Sequence, residues 1–204
     1  MNPEAGARMI SLLRAMDAEG ANPVSLLLEG VARPMPHRHY PSGDVYDFVN
    51  HAQFYYHIHR DGECGHIHLF QRARGMPPGL KPVVASLDPN PPCHLVAIGF
   101  GSDGHAAELF TTNRWVTGEA WYDAAALKML IPRFRLQASG RARLVASWLE
   151  ALVAFYAAEI AQLADERDRT VEHWQRSHST GDPLDDPGLE ITSHRAIDPL
   201  RDAV

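Results

Sequence analysis

Residues 55–70 read Tyr55-Tyr56-His57-Ile58-His59-Arg60-Asp61-Gly62-Glu63-Cys64-Gly65-His66-Ile67-His68-Leu69-Phe70, two His-x-His pairs flanking a short Asp-Gly segment. Asp-Gly between two apolar-rich stretches is a hairpin signal, because glycine supplies the positive φ that tight turns need. Side chains alternate along a strand, so His57 and His59 share one face, and His66 and His68 share one. Whether the pairs meet depends on register, since a slip of one residue turns a whole strand over. Pairing His59 with His66 and His57 with His68 puts Phe54, Tyr56 and Ile58 on the same face as Ile67 and Leu69. The slipped alternative mixes apolar residues with histidines on both faces. Burial therefore predicts an antiparallel hairpin with one apolar face and one face of four imidazoles.

Directly opposed residues in such a pair have Cβ atoms about 4.5–5.5 Å apart. Imidazoles at that spacing can converge on one ion, and neutral imidazole is the commonest protein ligand for metals. Protonated, the same four rings repel one another; buried and neutral, each needs a partner. The expectation is a metal site made by His57, His59, His66 and His68, with three of them holding the ion and open positions left over. The alternatives are a structural polar cluster, or acid/base and substrate-binding work without metal. An imidazole shell suits a transition metal ion such as iron, copper or zinc, and does not choose among them. Cys64 and Cys93 lack the Cys-x-x-Cys spacing of a zinc knuckle and are too few for a disulfide framework.

Outward from the hairpin, apolar spacing predicts a helix over 3–18 and a short one after Asn22-Pro23. Residues 31–44, with Pro34, Pro36, Pro41 and Gly43, read as loop. A proline- and glycine-rich stretch runs from Gly75 to Pro92 with a short strand at 83–87, and a second hairpin spans 94–111 around Asp103-Gly104. Asp123 caps a helix that Pro132 stops, and 139–169 reads as one long amphipathic helix. The predicted fold class is α+β: an antiparallel β-sheet or partial barrel packed against N-terminal helices and a long C-terminal helix. The predicted domains are one α+β unit over 1–175 and a mostly disordered tail over 176–204, where Pro183, Pro187 and Pro199 lie among Asp, Ser and Gly.

The composition narrows the partners. A formal charge of −6 argues against nucleic acid, which needs a basic surface. No run of about 18 apolar residues predicts a membrane span, and the N-terminus lacks the basic start and apolar core of a signal peptide. The expected setting is cytoplasmic and the expected partner a small-molecule substrate or ligand, with the oligomeric state open.

Nine of the 12 histidines lie between His37 and His105, so the enrichment belongs to the β region. His37 and His39 form a third His-x-His in a loop, and His51, His94 and His105 are single candidates. Tyr55 and Arg114 are expected substrate contacts, the latter through a bidentate guanidinium; pairing of Arg114 with Asp44, Asp47 or Glu119 is the structural alternative. The order His57-x-His59-x-x-x-Glu63 resembles the first metal motif of the cupin superfamily, although His51 and Phe70 replace its framing glycines and no second motif follows. The blocks His39–Asp47, the histidine hairpin and Leu109–Glu119 resemble an uncharacterised family of bacterial proteins, which implies no activity. The leading functional expectation is a metal-dependent oxidoreductase, non-haem iron or copper, acting on a small molecule. A non-catalytic metal- or haem-binding or sensing protein, or an interaction protein with structural histidines, are the alternatives.

Overall fold

The computed structural model describes residues 2–178 and 181–203. Its elements are α1 (Pro3–Ala18), α2 (Pro23–Leu27), β1 (Tyr40–Tyr46), β2 (Ala52–His57), β3 (His66–Arg72), β4 (Pro92–Phe100), β5 (Ala106–Thr112), α3 (Arg114–Thr117), α4 (Ala124–Leu130), α5 (Ala142–Phe155), α6 (Ala157–Ser177), β6 (Ile191–Ala196) and α7 (Pro199–Asp202). The class is α+β. The six strands form one open antiparallel sheet in chain order, β1 to β6.

Local signals account for several boundaries. Asn2 caps α1 by accepting from the backbone N–H groups of Glu4 and Ala5, and Pro3 stands where no amide donor is needed. Asn22 and Ser25 close a capping box on α2, and Asp123 caps α4 through Ala126. One face of the sheet carries Phe54, Tyr56, Ile67, Leu69 and Ile98 into a core with Met9, Leu13 and Met16 of α1 and Trp148, Leu149 and Leu152 of α5. α1 lies so close to α5 that a Cβ at Gly6 would stand 2.8 Å from the Phe155 ring. Among the described residues no single helix is long and apolar enough to cross a membrane; α5 and α6 meet both conditions only taken together, as a pair bent by 74°.

That bend corrects the sequence expectation of one helix over 139–169. Neither proline nor glycine breaks it. The break falls at Tyr156, whose hydroxyl donates to Asp202 at 2.7 Å, so a contact to α7 fixes the residue between the two helices. The expected tail is also corrected. Residues 191–196 add the last strand, where Thr111 Oγ1 meets Thr192 Oγ1 at 2.8 Å and Ser193 Oγ at 2.6 Å, and Ser193 Oγ donates to the Leu163 carbonyl in α6. Short hydroxyls satisfying one another do not register as a hydrophobic pattern. Met1, Ser179, Thr180 and Val204, the last three within the expected tail, lie outside the described residues. β1 falls partly in the expected loop, as an edge strand that tolerates Pro41. The short strand expected at 83–87 reduces to a single bridge, Val84 to Trp121.

Candidate metal centre

β2 and β3 are the predicted hairpin in a different register. His57 pairs with His66, Tyr56 with Ile67, Tyr55 with His68 and Phe54 with Leu69. This is two residues from the expected pairing, so the faces survive and the partners change. The connection explains the shift. The Glu63 carboxylate takes the His59 backbone N–H, which withdraws His59 from the ladder. Gly65 packs against the strand so closely that a Cβ there would sit 2.3 Å from the His57 carbonyl oxygen. Its N–H donates to the Tyr56 hydroxyl at 3.2 Å.

On the face away from α1 and α5, His57 Nε2 and His66 Nε2 are 2.7 Å apart, and His66 Nε2 and His68 Nε2 are 3.0 Å apart. His57, His66 and His68 each offer a ligand atom within 4.8 Å of the others. A neutral imidazole nitrogen carries either one proton or one lone pair. A proton or lone pair on His66 Nε2 therefore serves one of its two neighbours well and leaves the other poorly matched. A cation accepts all three lone pairs together. With metal–nitrogen bonds of about 2.0–2.1 Å, two ligands at a right angle stand about 2.9 Å apart, which matches both measured separations. The residues present fit a metal ion.

The surroundings keep the rings neutral. Burial, reinforced by the neighbouring histidines, lowers His57 to about 4 and His66 to about 2, and drives fully buried His68 well below the usual range. His68 Nδ1 lies 3.0 Å from His94 Nε2. If His68 Nε2 gives its lone pair to an ion, Nδ1 carries the proton and donates it to His94, which fixes the tautomer and the ring plane. His94 is itself lowered to about 3 by burial and by the Arg167 charge. Glu119 anchors the backbone N–H of His94 at 2.5 Å and accepts from Thr117 Oγ1 at 3.2 Å. Complete burial raises this carboxyl to about 7 despite the Arg167 charge. Tyr55, Phe70 and Phe110 crowd the rings, with Tyr55 centred 5.4 Å from His57 and 5.3 Å from His68.

Of the four expected ligands, three converge. His59 lies beyond the end of β2 and outside that group, its ring centred 4.8 Å from His57 and 5.1 Å from His66. Tyr55 stands beside the triad. Arg114 is at the start of α3, paired with Asp185 at 2.8 Å and with none of the three acids considered as alternatives. Asp44 binds His39 and Gln53, Asp47 accepts the amides of Val49, Asn50 and Gln137, and Glu119 serves His94. Cys64 is exposed and Cys93 buried, with its thiol pushed up; neither belongs to the triad. The role of His94 escaped sequence reasoning because only strand order places β4 beside β3, where His94 pairs with Phe70. Parity on the second hairpin is no guide, since the ladder has a bulge between Leu69 and Phe70.

The chain belongs to the family described as a domain of unknown function, DUF6969, matched over residues 3–197. No curated protein and no solved structure matches it. The cupin resemblance finds no support: of His57, His59 and Glu63, only His57 joins the triad, and the Glu63 carboxylate is spent on the turn.

Proposed function

We propose that this protein binds one transition metal ion at His57, His66 and His68 and uses it as a metal-dependent oxidoreductase on a small molecule. The observation that carries the reading is the convergence of three neutral Nε2 atoms, two pairs of them at 2.7 and 3.0 Å, where one His66 proton or lone pair must serve two neighbours at once. Three protein ligands, two pairs of them at near-right-angle spacing, leave coordination positions for substrate, as catalytic sites do and closed structural sites do not. When bound, the ion supplies a Lewis acid or redox centre. The chain's own part is to hold the three rings neutral by burial, to orient His68 through His94, and to offer Tyr55 at the edge of the centre as a substrate contact. Iron, copper and zinc all suit imidazole ligands.

A second reading, a non-catalytic metal-binding or sensing protein, draws on the packing. Tyr55, Phe70 and Phe110 press on the rings, while two cavities of about 420 and 510 Å³ lie around the Gly101–Gly104 turn, lined by His105 in one and Cys64 in the other. Elemental analysis of untagged protein and of the His66→Ala/His68→Ala variant tests both readings. One equivalent in the parent and less than about a tenth in the variant is expected. Metal-free parent protein, purified without chelators, would sink both. Electron paramagnetic resonance and oxygen consumption with the loaded protein then separate them: a redox-inert ion and no turnover select the binding protein.

A further inference from the structure

Two histidines beside the triad serve the fold through their backbone and not through their rings. Among the described residues neither the His37 nor the His59 ring hydrogen-bonds to protein, yet the backbone goes to unusual lengths to place one of them. His37 holds φ at +60°, a conformation that residues other than glycine rarely adopt, and its N–H donates to the Ile58 carbonyl at 2.8 Å. This locks the loop onto the residue before His59 and sets the His37 ring edge-on to the His59 ring at 5.4 Å between centroids. The rings then continue inward: His59 to His57 at 4.8 Å, His59 to His66 at 5.1 Å, and His66 to His68 at 4.7 Å. Exposure falls along the same file, from exposed His37 through half-buried His59 to His57 and fully buried His68.

We propose that His37 and His59 form a transient outer site that takes a hydrated divalent transition-metal ion from solvent and passes it to the triad. The proposal rests on the metal-site reading above. An ion entering a buried all-imidazole centre must shed its waters, and it does so more readily when each departing water is replaced by a ring nitrogen. Ring centres about 5 Å apart let one ion bind the next ring before it leaves the last, since each metal–nitrogen bond spans about 2 Å. Such a route changes how fast the ion enters and leaves and does not change the equilibrium, because the outer rings are empty once the ion rests on the triad.

The test is rapid mixing of metal-free protein with Co²⁺, followed by visible absorption, together with release of bound Co²⁺ to excess chelator. In the His37→Ala/His59→Ala variant, uptake and release should both slow by roughly tenfold or more, with one equivalent bound and the affinity unchanged. The His173→Ala variant, which removes an exposed histidine on α6, should match the parent in both rates. Parent-like rates in the double variant overturn the route. A loss of affinity at an unaltered uptake rate overturns it too, by making His59 a ligand of the resting centre. Absence of Co²⁺ binding by the parent would instead fell the metal reading on which the route depends.

Discussion

Alternate residues of β2 and β3 build two faces that are both largely buried, for opposite reasons. Phe54, Tyr56, Ile67 and Leu69 are covered by helices and belong to one continuous apolar core. His57, His66 and His68, with Tyr55 and Phe70, are packed by one another, by His94 and by Phe110. The first face lowers its free energy by leaving water. The second gives up hydration of polar nitrogens and recovers it only through an exact count of protons and lone pairs. Burial therefore identifies a core on one side of the sheet and a site on the other.

The contrast is opened widest by pH. In metal-free protein His68 and His94 titrate well below the ordinary histidine value of about 6.5 because they are buried. Below that pH the unfolded chain binds protons that the fold refuses, so stability is complete above about 6.5 and is lost as pH falls. For these two rings the loss is about 1.4 kcal/mol per pH unit each. Glu119 runs the other way: raised to about 7, it is protonated in the fold where the unfolded chain has released its proton, so its contribution shrinks as pH rises from about 4.5. One carboxyl is outweighed by the histidines together. Urea midpoints of the metal-free protein should drop clearly between about pH 7.5 and about pH 5; a flat profile would mean that the rings are not buried as a group.

A substitution on the apolar face should act on stability alone. Leu69→Ala should cost about 2–5 kcal/mol in denaturant unfolding, while folded protein keeps its metal affinity. If its metal affinity collapsed in step, the two faces would not be independent. His94→Ala should do the reverse, keeping one equivalent of metal while weakening affinity about 10–100-fold, as loss of an orienting partner does; titration against a competing chelator measures it, and an unchanged constant would deny His94 that role. The smallest effect belongs to Arg114→Ala, about 1 kcal/mol or less for a half-exposed pair with Asp185, with no change in metal binding. Calorimetry beside the metal titration checks this, and a large loss of affinity would bring Arg114 back to the centre.

Much of this was legible in residues 54–70. Period-two alternation put the histidines on one face and the apolar residues on the other, and this parity held although the register moved by two residues. Parity is set by the chain's own pleat; register is set by the connection, where the Glu63 carboxylate on the His59 amide and the close approach of Gly65 to His57 are contacts no spacing encodes. The helix caps at Asn2, Asn22 and Asp123 were equally readable, because a cap and its amide are neighbours in sequence. The bend at Tyr156 and the strand at 191–196 were not, since each depends on partners more than 40 residues away in the chain, Asp202 and Thr111 respectively.

The sequence by itself determined that this protein carries an α+β fold and concentrates its imidazoles on one face of a hairpin, because alternation and burial are local rules. Only the tertiary structure decided which three imidazoles converge, that His94 stands behind them and that His59 stands outside. Those choices follow from strand order, register and turn contacts, which join residues that the chain keeps apart.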